Sequence, residues 1–533
     1  MTRILKAVSA ISSATLVSRV LGFVRDITQA HVLGASWLNG VFLIAWMLPN
    51  LMRRLLGEGA LSAAFIPAFT RTMHKDGDGA AKRLLASVSG VLLVASGALA
   101  LAVVTLSLVV PPTWLQLEDS QQATGVQRGA ALLHLTSILF PYVVPICLGA
   151  ILTGALNALG VFGWPALAPA LVNVFWLAAL LCIHLLSITE PSTIATILAV
   201  ALLISGIGQL IPAVVQLAQR KMMPVPTWPP PGDPARSVFL ATLPTMFGMS
   251  MTQFSMLIDQ FFAEWFCGAG MTTHLYYSNR LLLFPHALTS LALGQAVFPR
   301  FSQLASREET KSLDAEVWRA MHWTFLITVP ASAGLILVSP QLIDVFFVHG
   351  KFTKGDAYWT VRTTATLVAG LPFIGMAQLH ARALYALGDM KAPAYVAAFL
   401  LAIGILLNAV LVLGLGLNVA GLTIATSLCA MLNALLLRRR FIRLCGAGHT
   451  RATSIVPAVR ILGAAALMTA AVFCTSWVAS TIPLADHKLA HTALRALLEV
   501  ALPVGVGVVT FCAAHLALGG QEMRSLRSLL RRA

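Results

Sequence analysis

The chain has 533 residues, of which 58% are hydrophobic and only 11% charged, and it carries a formal net charge of +16. Its mean hydropathy of +0.83 and its repeated charge-free runs exceed what a soluble core needs, which excludes an ordinary soluble domain and points to an all-α polytopic membrane protein. A basic excess in such a chain is first a matter of membrane topology, and no nucleic-acid partner is expected.

In chain order, apolar stretches predict helices near 9–34, 37–66, 84–110, 130–153, 165–187, 191–219, 237–262, 275–299, 320–343, 359–382, two within the run 392–437, and then 457–480 and 495–518. The count is fourteen. The run Gly129–Thr189 holds 61 residues without a charge; as one helix at about 1.5 Å per residue it would be near 90 Å long, roughly three bilayers. Gly154, Gly160, Gly163 and Pro165 supply the turn it needs, as Gly414–Gly421 does for the later run. The first stretch is interrupted by Ser9, Ser12, Ser13 and Ser18 and followed by Arg19 and Arg25, so it reads as a first crossing rather than a cleaved signal.

An alternating topology that starts in the cytoplasm puts 25 Lys and Arg in cytoplasmic segments and six outside, namely Arg128, Lys351, Lys354, Arg362, Lys488 and Arg495. That asymmetry accounts for the net charge and predicts both termini in the cytoplasm. The seven cysteines show no CxxC pair, and neither a disulfide framework nor a metal site is expected. Tryptophans and lone histidines such as His134, His184 and His515 read as belt or packing residues. No catalytic residue and no cofactor is predicted.

Two internal matches give the architecture. Leu156-Asn-Ala-Leu-Gly160 with Pro165 recurs as Leu384-Tyr-Ala-Leu-Gly388 with Pro393, an offset of 384 − 156 = 228; Ala63–Thr70 resembles Gln295–Ser302, an offset of 299 − 67 = 232 between their prolines. Two parallel repeats of six helices follow, with substrate expected between the halves. The predicted organisation is an N-terminal six-helix lobe over 1–222, a Pro-rich cytoplasmic linker over 223–236, a second six-helix lobe over 237–440, and two extra helices with a basic cytoplasmic tail over 441–533.

Five arginines, Arg19, Arg25, Arg53, Arg54 and Arg280, fall inside or against apolar helices. An arginine at mid-bilayer costs roughly 2.5 to 3.5 kcal/mol, so such residues normally face water or a partner. A guanidinium stays charged and its planar fork suits phosphate oxygens, and several converging on one chamber would select a pyrophosphate. Ser18 and Asp26 lie on neighbouring faces of the first helix, Asn50 and Glu58 in one row with Arg54, and Asn279 beside Arg280; together these form the candidate substrate-binding set. Asp259 is either a helix-pairing residue or an ion ligand. The plainer alternatives are that Arg53 and Arg54 anchor a helix end, that Arg280 snorkels with Tyr276 and Tyr277, and that Arg25 with Asp26 is a packing ion pair.

The motifs Ser18-Arg-Val-Leu-Gly-Phe-Val-Arg-Asp26, Leu48-Pro-Asn-Leu-Met-Arg-Arg54 with Gly57-Glu-Gly59, Tyr276-Tyr-Ser-Asn-Arg280 with Phe284-Pro285, His349-Gly-Lys-Phe-Thr353 and Tyr385-Ala-Leu-Gly-Asp-Met-Lys-Ala-Pro393 resemble the MurJ (MviN) lipid II flippases of the multidrug/oligosaccharidyl-lipid/polysaccharide exporter superfamily. The resemblance implies a MATE-like fold of fourteen helices that moves undecaprenyl-pyrophosphate-linked peptidoglycan precursor across the bacterial inner membrane by alternating access. It also implies that Arg19, Arg25, Arg53 and Arg280 line a central cavity, and that the last two helices form a groove for the lipid tail. Cell-wall synthesis enzymes are candidate partners from the same family context. Many relatives carry carboxylates or a lysine where this chain has Gly40, Met47, Asn279 and Leu283, so the cavity is expected to be more purely cationic, with the membrane potential or a monovalent cation left as the drive. The alternatives are an exporter of another lipid-linked oligosaccharide, a drug exporter, and a membrane enzyme acting on polyprenyl phosphates.

Overall fold

The computed structural model describes residues 2–57, 60–115, 123–161, 163–230, 232–287, 292–446, 456–481 and 494–520. All the regular structure among them is helical: α1 (Thr2–Leu33), α2 (Trp37–Met52), α3 (Ala60–Val109), α4 (Gly125–Leu139), α5 (Val143–Ala158), α6 (Gly163–Leu185), α7 (Pro191–Gln219), α8 (Pro234–Phe262), α9 (Met271–His286), α10 (Ala292–Ser306), α11 (Thr310–Phe347), α12 (Lys354–Val368), α13 (Leu371–Ala386), α14 (Lys391–Asn408), α15 (Asn418–Cys445), α16 (Val456–Thr481) and α17 (Leu502–Ala517). Each predicted crossing coincides with one or more of these helices. Among the described residues ten segments are long and apolar enough to span a bilayer.

Several crossings expected to be continuous are interrupted, and prolines account for most of the breaks. The stretch read as one helix over 37–66 is α2, then a π-helical turn over Arg53–Gly57, then the start of α3. Pro49 cannot donate to the ladder and its ring presses on the preceding turn, so the chain rewinds within one turn of it. Pro141 likewise inserts a 3₁₀ turn between α4 and α5, and Pro372 opens α13 immediately after α12. In α3 the break is at Gly77, whose φ of 82° is left-handed and which lets the chain turn from one helical stretch into the next.

The chain divides into two compact units, Met1–Thr273 and His274–Ala533. Helix α8, grouped with the second lobe on sequence grounds, packs against α3 and belongs to the first unit. The core of the first unit joins α3, α5, α7 and α8 around Phe65, Phe69, Leu152, Leu156 and Leu217. That of the second joins α10, α11, α13 and α15 around Phe301, Leu304, Leu384, Leu437 and Phe441. The two cores use repeat-related positions: Leu156 and Leu384, 228 apart, are both 0% exposed, as are Phe69 and Phe301, 232 apart. The internal duplication is therefore a duplication of packing.

Lipid gives helices little hydrophobic reason to associate, so close approach through small residues matters more. A methyl on Gly206 of α7 would stand 2.6 Å from the Tyr142 ring, and one on Gly507 of α17 would stand 2.7 Å from Val472 of α16. The α16–α17 pair packs on α11 through Leu326, Val338, Ile461, Met468 and Phe511. Its far side, including Val459, Phe473, Val508 and Val509, is exposed, as a lipid-facing surface requires.

Candidate functional site

In the first unit, α1 packs along α6 and brings Arg25 and Asp26 into the protein interior, where they are 4% and 2% exposed. Arg25 Nε and Nη2 donate to Asp26 Oδ1 at 3.1 and 2.7 Å, and Nη1 donates to Asn173 Oδ1 at 3.0 Å. The guanidinium lies 4.4 Å from the centre of the Trp176 ring. Asn173 Nδ2 in turn donates to the Ser18 carbonyl at 3.0 Å, tying the network back to α1. Gly22 faces the Asn173 amide, and a methyl there would stand 3.6 Å from Nδ2, in ordinary van der Waals contact. The charge of Arg25 is thus retained in an apolar bundle by one carboxylate, one amide and one aromatic face.

The other candidates are placed differently. Arg19, one residue beyond Ser18, is exposed. Arg53 and Arg54 sit on the π turn after α2, and Arg54 Nη1 donates to Gln253 Oε1 of α8 at 2.8 Å. Asn50 turns back on its own helix and donates to the Trp46 carbonyl at 3.0 Å, so it serves α2. Asp259 is half-buried on α8, and Glu58 lies outside the described residues.

In the second unit, α9 is fixed to α12 by one face: His274 Nδ1 meets Thr360 Oγ1 at 2.9 Å, and Thr364 Oγ1 donates to Ser278 Oγ at 3.0 Å. The opposite face carries Arg280, whose Nη2 and Nε donate to the Tyr276 hydroxyl at 2.7 and 3.2 Å. Asn279 is occupied with the Leu275 carbonyl of its own helix at 2.9 Å.

Four positions that the sequence does not single out take part in these buried contacts: Asn173, Trp176, Arg128 and Glu264. Asn173 and Trp176, three residues apart on one helical face, were hidden in the charge-free run, and Trp176, 0% exposed, does more than pack. Arg128, counted among the outer loop charges, is 0% exposed in α4 and forms a buried ion pair with Glu264, which also accepts at its backbone carbonyl, 3.2 Å from Arg128 Nη2. Glu264 also occupies the space in front of Gly40: a methyl on that glycine would stand 2.5 Å from Glu264 Oε2. The space beside Gly40 is therefore filled by the carboxylate of residue 264, which is paired with Arg128.

The sequence profile of the family described as lipid II flippase MurJ matches residues 29–486. The chain belongs to this family. A protein of Bdellovibrio bacteriovorus named a probable lipid II flippase MurJ is 32% identical over 442 residues, which cover 82% of this chain and 81% of that one. One from Burkholderia cenocepacia named lipid II flippase MurJ is 31% identical over 442 residues, covering 81% and 82%. Among solved structures, a lipid II flippase MurJ in an inward closed conformation superposes with a TM-score of 0.73 at 22% identity, over 97% of this chain and 99% of that one. An inward-facing MATE family transporter of the MOP superfamily does so at 0.64 and 17%, over 82% and 98%. These two likenesses establish the fold, an all-helical bundle of the same kind.

Proposed function

We propose that this chain carries lipid II, the undecaprenyl-pyrophosphate-linked disaccharide-pentapeptide precursor, from the inner to the outer leaflet of the bacterial inner membrane by alternating access. The chain is a transporter of the MurJ family rather than an enzyme. The observation that carries the reading within the molecule is Arg25, a permanently charged fork buried in apolar helices at evident structural expense and braced by Asp26, Asn173 and Trp176. A soluble core would discard such a group; a carrier of a diphosphate needs it. Arg19, Arg53, Arg54 and Arg280 are the further anion ligands of this reading, and Ser18, Asn50, Glu58 and Asn279 its neutral or acidic surroundings. The saccharide and peptide would travel in water, with the prenyl chain remaining in lipid beside α16 and α17. An inside-negative potential favours outward movement of an anion by about 2.3 kcal/mol per charge per 100 mV, and a monovalent cation at Asp259 is the other candidate drive. On this reading, and from the distribution of basic residues, both termini lie in the cytoplasm, and cell-wall synthesis enzymes are candidate partners.

The test is flipping in vesicles reconstituted with pure protein and lipid-linked precursor. The parent is expected to transfer precursor between leaflets, and Arg25→Ala and Arg280→Ala to lose it. Full transfer by both variants would remove the cavity assignment.

A further inference from the structure

We propose that the Arg128–Glu264 pair is a latch at the outer end of the protein: it is made in the state seen here and must break each time the substrate leaves on the outer side. The inference rests on the carrier reading above and adds a contact that must open within it. Glu264 lies in the π-helical turn Ala263–Cys267 that follows α8, and Arg128 in the first turn of α4. Both side chains are completely buried. The pair therefore pins the α8–α9 connection onto α4 in a place that water does not reach.

The surroundings are shaped around this one carboxylate. Gly40, one turn into α2, leaves the slot that Glu264 Oε2 fills. Gly270, with a φ of 82°, directs its N–H toward Glu264 Oε1 at 3.5 Å and lies against the Ala35 carbonyl so closely that no side chain could be accommodated. Ala35 is in the α1–α2 turn, held in turn by Asn39, whose Nδ2 donates to the Gly34 carbonyl at 2.6 Å and whose Oδ1 accepts from Gln29 at 2.8 Å. The α1–α2 turn, the start of α4 and the α8–α9 turn thus meet at a single ion pair. By the distribution of basic residues all three lie on the outer side.

Two features make this a contact for opening rather than a permanent rivet. Glu264 Oε2 is buried and makes no hydrogen bond, so the pair is incompletely satisfied and its closed form carries an uncompensated desolvation cost. In sequence α8 follows the linker between the repeats, whereas α2 and α4 precede it, yet in this state it packs with the helices of the first unit. The latch thus holds a second-repeat helix on first-repeat ones, and opening on the outer side means that the end of α8 and its turn leave α2 and α4.

The experiment uses the full chain in vesicles. Arg128→Cys with Glu264→Cys is bridged by a reductant-cleavable bis-methanethiosulfonate, with each single substitution, which retains the native cysteines, treated identically. The bridged protein is expected to bind a short-chain prenyl diphosphate as the unbridged variant does, but to flip lipid-linked precursor at least about tenfold more slowly, with reductant restoring the rate. A bridged protein that flips at the unbridged rate overturns the latch while leaving the carrier reading intact; a parent protein that does not flip at all overturns the carrier reading instead. A second measurement covers failure of the cysteine pair to fold. In Arg128→Met with Glu264→Leu, which replaces the charges by apolar groups of similar size, the native Cys267, buried in the same turn, is expected to react with an impermeant maleimide added outside several-fold faster than in the parent, as mapped by mass spectrometry. Unchanged labelling of Cys267 in a folded double variant makes the pair a purely structural one and overturns the proposal.

Discussion

Replacing Asn173 by Asp tests the Arg25 site most directly, because it alters charge while leaving shape almost unchanged. The parent network sets one carboxylate, Asp26, against one guanidinium, with the Asn173 amide oxygen completing the cradle at 3.0 Å. A second carboxylate in the same place would grip Arg25 at least as well, so the helix pair α1–α6 should stay together, less the bond from Asn173 Nδ2 to the Ser18 carbonyl, worth about 1 kcal/mol. For an incoming diphosphate the effect is opposite. One added negative charge about 6 Å from a phosphate repels it by about 3 kcal/mol at an effective dielectric near 20, which is about a hundredfold in affinity. Asn173→Leu reverses the pattern: it deletes a hydrogen bond to a charged group, worth about 1.5–3 kcal/mol of stability, without adding charge. The assay is equilibrium binding of a water-soluble short-chain prenyl diphosphate to the purified protein, alongside thermal unfolding in the same detergent. Parent-like affinity in Asn173→Asp would show that Arg25 faces no anion, and the site would reduce to a packing ion pair.

Tyr276→Phe removes the hydroxyl that takes two bonds from Arg280; loss of that anchor should alter prenyl diphosphate affinity several-fold while the melting temperature hardly moves, and an unchanged affinity would separate Arg280 from the substrate. Gly40→Ala inserts a methyl 2.5 Å from Glu264 Oε2 and should destabilise by about 1–3 kcal/mol, as overpacking does; a melting temperature equal to the parent's would mean the Glu264 slot yields freely. At the turn between α13 and α14, burial raises the Asp389 carboxyl, but the Ala392 N–H and Arg440 outweigh it and hold the carboxyl below its ordinary range. A depressed folded pKa stabilises above the unfolded value, near 3.9, and is lost as pH falls through the folded one. The stability difference between parent and Asp389→Asn should therefore be flat from about pH 7 to 5 and shrink below about pH 4; a difference that collapses near neutrality would contradict the assignment.

What the sequence made legible follows from what each signal depends on. Long charge-free runs report burial in lipid, so the presence of helices was plain. The repeat was legible because Leu156 and Leu384 sit in equivalent cores, where identity is constrained by packing. Helix breaks were less so: Pro49 marks trouble at one residue, but the rewinding falls over Arg53–Gly57 and depends on the local ladder. Arg128 looked like a loop charge because its partner is 136 residues away, and no local pattern encodes such a pairing. Asn173 was overlooked since one amide in an apolar helix has many uses. Gly40 is a related case, because a glycine gives no sign in the sequence that the Glu264 carboxylate arrives beside it from another element.

Helix α11 serves two masters. Its beginning, through Leu313, Val317 and Met321, is part of the α10–α13–α15 core, and its later part, through Leu326 and Val338, is the seat of α16 and α17. Pro330 and Pro340 fall on the later part. Pro330 falls between the two ends of that seat, with Leu326 before it and Val338 after it, so α16 and α17 act as a splint across the point where α11 lacks a ladder hydrogen bond, and any bend there has to peel the terminal pair from one side.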